Sequence, residues 1–147
     1  MDLDPEIKPT VDFALLADAV QVVVGKLYVL GGGWDALFVP QFPARFPSLG
    51  LGLRIRIPWS CTDRPIRVEV DLQDEDGGRV LPSPPIVNEL RVGRPPGMPE
   101  GTDLGIPRSF TFHNIIFPRE GAYSFVVLID GDTAARVRFV VRSRPRE

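Results

Sequence analysis

The clearest candidate for chemistry in this sequence is the acidic run Asp74-Glu75-Asp76-Gly77-Gly78. Carboxylates at alternating positions can converge on a hard cation such as Ca²⁺. The run lacks the further oxygen ligands, the closing Glu and the flanking helices of an EF-hand loop, and an Asp-Gly pair between strands is typical of a solvated hairpin tip. We therefore interpret it as a turn, with calcium binding by Asp74 and Asp76 as the alternative.

The remaining side chains do not contain a recognisable catalytic motif. His113 is the only histidine and Cys61 the only cysteine, so one chain cannot supply a zinc site of Cys and His ligands. No Gly-x-Ser-x-Gly nucleophile elbow occurs, and carboxylates in an exposed turn lack the burial that shifts a pKa to a catalytically useful value. We predict a protein that is not an enzyme and that has no catalytic residues, no cofactor and no metal site.

The Trp34 region is the second candidate for ligand binding. Gly31-Gly32-Gly33 precedes Trp34, but no Lys-Ser/Thr pair and no helix start follows, so the requirements of a phosphate-binding loop are not met and a bend is favoured. Trp34 and Trp59 could each stack on a sugar. Their apolar neighbours instead favour core packing.

Composition narrows the protein class. The chain has 147 residues, 44% of them hydrophobic, which is enough for one core and one domain. A net charge of −2 argues against nucleic-acid binding. A lone cysteine fits a reducing compartment, and neither a signal peptide nor a membrane span is recognisable. We predict a cytoplasmic protein that contacts neither nucleic acid nor membrane.

The strongest structural signal spans residues 117–132. Successive strand residues alternate between faces, so Tyr123, Phe125, Val127 and Ile129 share one apolar face. Asp130-Gly131 is a strong two-residue turn signal, and the chain then alternates again through residue 141. This pattern predicts a hairpin over residues 122–141.

The start of this hairpin resembles a tyrosine corner of immunoglobulin-like sandwiches, carried by the spacing Gly121-x-Tyr123-x-Phe125. The resemblance implies that the Tyr123 hydroxyl bonds back to the preceding turn, with Gly121 and Tyr123 as its structural residues. Phe125 stands where antibody domains carry a cysteine. The resemblance is therefore to the wider immunoglobulin-like class and implies no disulfide.

Further alternating runs predict the other strands. Residues 11–39 also fit a helical stripe, but their β-branched runs favour strands. Residues 51–57 and 66–73 are half-buried strands that either pair, aligning outward arginines with outward acidic residues, or lie in different sheets. A short strand is expected near residues 89–92, and a strand over 108–117 with Phe110, Phe112 and Asn114 on one face.

These elements predict an all-β, immunoglobulin-like antiparallel β-sandwich over residues 11–142, with tails at residues 1–10 and 143–147. The runs at residues 25–35, 68–77 and 117–123 resemble an uncharacterised family of small bacterial proteins of unknown function. The resemblance spans about residues 11–141. It implies a stand-alone domain and supplies no catalytic residues.

The function that fits best is a non-catalytic interaction or structural module of unknown partner. Val126 and Leu128 point away from the core face of their strand, yet both are apolar. Contiguous exposed apolar patches are uncommon on soluble monomers, so this face needs a cover. Either residues 11–39 supply it or a second subunit does, which makes Val126 and Leu128 a possible homo-oligomer interface.

Overall fold

A computed structural model describes residues 7–81 and 85–144 of the chain. Its regular structure is all β apart from one short 3₁₀ turn at Trp59–Cys61, so the predicted all-β class is confirmed. The strands are β1 (Thr10–Val23), β2 (Lys26–Gly32), β3 (Ala36–Val39), β4 (Ala44–Ile57), β5 (Pro65–Asp74), β6 (Ile86–Arg91), β7 (Leu104–Phe117), β8 (Gly121–Ile129) and β9 (Asp132–Ser143). Most of the predicted tails, residues 1–6 and 145–147, lies outside the described residues.

The strands form two sheets, with the order β2-β1-β4-β7 in one and β3-β9-β8-β5-β6 in the other. All neighbouring strands are antiparallel except β3 and β9, which are parallel. The predicted antiparallel arrangement therefore holds for every neighbouring pair of strands in the described residues except this one. Parallel strands need a long connection, and here most of the chain separates the two strands. No helix within the described residues has the length and apolar character needed to cross a bilayer.

The hairpin predicted at residues 122–141 is confirmed as β8 and β9. Its turn residues Asp130 and Gly131 have φ values of 50° and 87°. Two successive positive φ values match the twist of the flanking strands, which is why Asp-Gly suits this position. Residues 11–39 form strands, so the helical alternative is wrong.

The inner faces of the two sheets form the core. Alternate residues of β4 and β5 are exposed by 1% or less. These residues are Leu51, Leu53, Ile55, Ile57, Ile66, Val68, Val70 and Leu72. Since β4 and β5 belong to different sheets and the 3₁₀ turn connects them, the two runs do not pair.

The outward arginines of β4 are therefore neutralised within their own sheet. Asp12 on β1 accepts hydrogen bonds from both Arg54 and Arg56, with 2.9 Å from Arg56 Nε to Asp12 Oδ1. These hydrogen bonds, the one from Arg56 foremost, hold the pKa of Asp12 below its usual value. In the other sheet, Asp71 pairs with Arg79 at 3.3 Å.

Phe139 on β9 lies at the centre of an aromatic cluster. Its ring centroid is 5.7 Å from that of Phe125, 5.9 Å from Phe117 and 6.0 Å from Tyr123. Trp34 meets Phe139 edge-on at 6.3 Å. Because Phe117 belongs to the opposite sheet, the cluster joins the two layers, and aromatic pairs at these distances add stability beyond the area they bury.

Asn114 interrupts the alternation of β7. Phe110 and Phe112 are buried as predicted, but Asn114 is exposed with a φ of 56° and the core side passes to Ile115 and Phe117. The prediction that Asn114 shares the face of the two phenylalanines is therefore wrong. A positive φ reverses the direction in which the following side chains point, and Asn tolerates that conformation better than most residues.

The predicted structural residues Gly121 and Tyr123 lie at the start of β8, directly after the turn from β7. The Tyr123 hydroxyl donates to the carbonyl oxygen of Arg119 at 2.5 Å, and its ring contacts Phe117 at 4.9 Å between centroids. Burial raises the pKa of Tyr123, and the hydrogen bond to Arg119 opposes that shift. Gly121 has a φ of 153°, which side-chain-bearing residues rarely adopt.

Replacing Tyr123 with Phe tests this turn. The substitution keeps the buried ring and removes only the donor to Arg119, so we expect a loss of about 0.5–1.5 kcal/mol in the free energy of unfolding. Chemical denaturation followed by intrinsic fluorescence measures the change. An unchanged midpoint would show that the hydroxyl does not stabilise the turn.

The first hairpin folds back over its own sheet. β1 pairs with β4 only as far as Ala17, opposite Gly50, and beyond that point pairs only with β2. We call residues 18–31 the arm. Gly50 and Gly52 alternate with core-facing leucines, so they lie on the outer face of the sheet, where Val20 and Leu27 of the arm contact them. The absence of side chains on β4 there allows this close approach.

The two glycines should respond differently to alanine. A Cβ at Gly50 would lie 2.8 Å from Val20 Cγ2 and 3.2 Å from the Val20 main-chain nitrogen, so the arm backbone must move. A Cβ at Gly52 would meet the tip of the Leu27 side chain at 3.1 Å, which can rotate away. We expect Gly50→Ala to cost about 1–3 kcal/mol of stability, with Gly52→Ala as the nearly neutral control. Equal effects in thermal denaturation would contradict the placement of the arm.

Candidate interaction surface

The acidic turn uses its carboxylates to hold its own backbone. Asp74 Oδ1 accepts from the N–H of Asp76 at 2.9 Å and from that of Gly78 at 2.8 Å. Arg119 Nη2 lies 3.3 Å from Asp74 Oδ2 and 3.5 Å from Asp76 Oδ2. The Gly78 N–H, followed by the Asp76 N–H and Arg119, lowers the pKa of Asp74.

This geometry is unfavourable for a cation. Both Asp74 oxygens already have protein partners, and the Arg119 guanidinium occupies the position of a positive charge between the two carboxylates. Among residues 7–81 and 85–144, no group of three or more His, Cys, Asp or Glu side chains is placed to hold a metal ion. The arrangement is that of an ion-paired turn.

Of the two tryptophans and the single His and Cys, Trp59 and Cys61 share the 3₁₀ turn, whereas Trp34 follows β2 and His113 lies in β7. Trp34 is half-buried, and its Nε1 donates to the Gly31 carbonyl at 2.9 Å. Arg94 lies over the ring of Trp59, 4.0 Å from its centroid. His113 is exposed on β7, whereas Cys61 is 5% exposed in the turn after β4. These side chains do not form a common site.

The proposed interface residues Val126 and Leu128 are less exposed than their outward direction suggests. Val126 is 3% exposed within the single chain, and Leu128 is half-buried. Val126 lies between Asp71 on β5 and Arg136 on β9, whose longer side chains stand on the same face. β1 and β2 belong to the other sheet and β3 is an edge strand beside β9, so the strands of residues 11–39 do not cover this face. A second subunit is not needed to bury Val126.

Apolar surface is concentrated on the arm instead. Five of the ten large apolar residues exposed in the described part of the chain lie there: Val23, Val24, Tyr28, Val29 and Leu30. Cross-strand register places Ala19 beside Leu30 and Gln21 beside Tyr28. We call the side formed by Ala19, Gln21, Tyr28 and Leu30, which points away from β4, the outer face of the arm. Leu30 is 72% exposed and Tyr28 55% exposed.

The tip of the arm has an unusual residue. Val24 is 92% exposed and has a φ of 48°, followed by Gly25 at 71°. A β-branched residue at positive φ is a genuine outlier, and Asn or Gly would suit this turn position better. An apolar side chain that is solvent-exposed and has a strained backbone contributes little to the stability of the fold. Val24 is therefore a candidate for a role at the surface.

Sequence reasoning missed this surface, although a signal was present. Residues 27–30 are apolar at every position, a pattern typical of a strand covered on both faces. The pattern predicted a strand here, but the uncovered apolar face was expected at Val126 and Leu128 on β8. In the structure, Leu27 meets Gly52 on one side, while Tyr28 and Leu30 on the other side are exposed.

Comparison with known proteins adds little about activity. The comparison with curated protein sequences found no match. A structure of Pseudomonas fluorescens alkylpurine DNA glycosylase AlkC, bound to DNA containing an abasic site analog, aligns with 88% of this chain at 11% identity and a TM-score of 0.38. The chain covers only 30% of the glycosylase. A likeness at this level carries no argument about function.

One family matches over most of the chain. The sequence profile of the Family of unknown function (DUF6941) covers residues 12–142, which includes the arm, both sheets and the acidic turn. This match is consistent with the resemblance to an uncharacterised family seen in the sequence. The chain therefore belongs to the Family of unknown function DUF6941.

Proposed function

We propose that this domain is a non-catalytic module that binds a protein partner through the outer face of the arm. The observation that carries the proposal is the exposure of Tyr28 and Leu30, at 55% and 72%, on adjacent positions of one face. Burying such side chains contributes about 1.5–3 kcal/mol each. Covering them with a protein surface therefore lowers the free energy of the complex. Aromatic residues are also enriched in the centres of interfaces.

We further propose that the fold is immunoglobulin-like, with the arm as an added feature. β1, β4 and β7 correspond in order to strands A, B and E of that class, and β5, β8 and β9 to strands C, F and G. The Tyr123 hydroxyl bond supports this assignment, since the tyrosine corner lies near the start of strand F. Immunoglobulin-like sandwiches serve widely as interaction modules, and on this view β2 and β3 lie between strands A and B.

Calcium or small-ligand binding is less well supported. The Arg119 guanidinium competes with a cation at Asp74 and Asp76. The Trp34 ring is engaged with Phe139, and its Nε1 with Gly31. Asp76 is exposed but shares the Arg119 guanidinium with Asp74, and the polar atom of Trp34 is already used, so partner binding through the arm is preferred.

Site-specific photo-crosslinking in the source cell tests the proposed function. Tyr28 and Ile116 are both 55% exposed, but only Tyr28 belongs to the arm, so benzoylphenylalanine at each position forms a matched pair. We expect the Tyr28 probe to give a discrete cross-linked species and the Ile116 probe to give none. Absence of any product at Tyr28, or equal yields at both positions, would contradict binding through the arm.

A further inference from the structure

We infer that the partner of the arm is a second copy of this chain, joined by antiparallel pairing of β2 with β2 about a two-fold axis at Val29. The inference rests on the proposed function and names its partner. Symmetric dimers are the commonest closed assemblies, and their interfaces must be self-complementary. The sequence and register of β2 satisfy that condition.

β2 is a free edge that is unprotected from Leu27 to Leu30, since its irregular residue, Gly31 with a φ of 65°, follows that stretch. It is the terminal strand of its sheet, and its only charged residue, Lys26, lies at one end. Natural edge strands are protected by proline, charge, irregularity or shortness. The other described edges have such features: Pro107 and Asn114 in β7, Glu89 and Arg91 in β6, the four-residue length of β3, and Arg136 and Arg138 along the uncovered part of β9.

The turn fixes which main-chain groups of β2 are available. Val23 and Lys26 close the two-residue turn and therefore exchange hydrogen bonds with each other. Because antiparallel residues alternate, Tyr28 and Leu30 also direct their main-chain groups toward β1. Leu27 and Val29 then present theirs at the free edge. A two-fold axis at Val29 pairs the N–H and C=O of Val29 with those of the partner's Val29.

This register also matches the exposed side chains. With Val29 opposite the partner's Val29, Tyr28 lies opposite the partner's Leu30, and Leu30 lies opposite the partner's Tyr28. These are non-hydrogen-bonded pairs, in which side chains approach most closely. The two most exposed side chains of the outer face thus cover each other twice, once on each side of the axis.

The available area indicates a weak dimer. Given the exposures of Tyr28, Val29 and Leu30, their side chains offer on the order of 300 Å² per copy, so the pair with its main chain buries roughly 1,000 Å². Interfaces of this size are typical of transient association. We expect a dissociation constant of about 10–100 μM, which makes dimerisation dependent on concentration.

Paired charge variants test the register. One variant carries Tyr28→Glu with Leu30→Glu, and the other carries Tyr28→Lys with Leu30→Lys. In sedimentation velocity we expect the wild type to approach dimer at high concentration, each variant to remain monomeric, and their equimolar mixture to form a heterodimer at least tenfold more tightly than either variant self-associates. Ile116→Glu, at a position of equal exposure outside the arm, should dimerise like the wild type.

The outcomes separate this inference from the proposed function. A wild type that stays monomeric at about 1 mM, or a variant mixture that does not associate, would overturn the dimer. If the Tyr28 probe then cross-links a different protein in cells, binding through the arm still stands. If the probe also gives no product, both proposals fail. A cross-linked species at twice 16.3 kDa, containing only this chain, supports the dimer.

Discussion

Contact between the two inner sheet faces is the interaction on which the rest of this molecule depends. The alternating aliphatic residues of β4 and β5 and the aromatic cluster around Phe139 remove one face of each sheet from water. Side chains on the outer faces must then be polar, be shielded by their neighbours, or be covered by another segment. Each solution occurs here: Arg54 and Arg56 pair with Asp12, Val126 is shielded, and the arm covers Gly50. Among the described residues, exposed apolar side chains are concentrated on the arm.

Much of the fold follows from alternation and turn chemistry. Asp130-Gly131 and its flanking strands predicted the last hairpin because register and turn type are local properties. Local patterns could not decide that β4 and β5 lie in different sheets or that β3 joins β9 in parallel, since those pairings join distant segments. Asn114 was misassigned because a single positive φ shifts the alternation without changing residue types.

The candidate surface was only partly predictable. An uncovered apolar face was expected, and Val126 was a reasonable position for it because both faces of β8 are apolar. Which apolar face stays exposed depends on neighbours in space. At Val126 the adjacent strands provide Asp71 and Arg136, whereas β2 has a neighbour on one side only. The departure of β1 from β4 after Ala17, which creates the arm, has no clear signature in the sequence.

Amide hydrogen exchange at Val29 tests the central claim most directly. The Val29 N–H lies at the free edge of β2, whereas the Tyr28 N–H points toward β1 and serves as an internal reference. If two copies pair through β2, exchange at Val29 should slow as protein concentration rises through the micromolar range, while exchange at Tyr28 stays constant. Fast exchange at Val29 at every concentration would contradict the pairing of this edge.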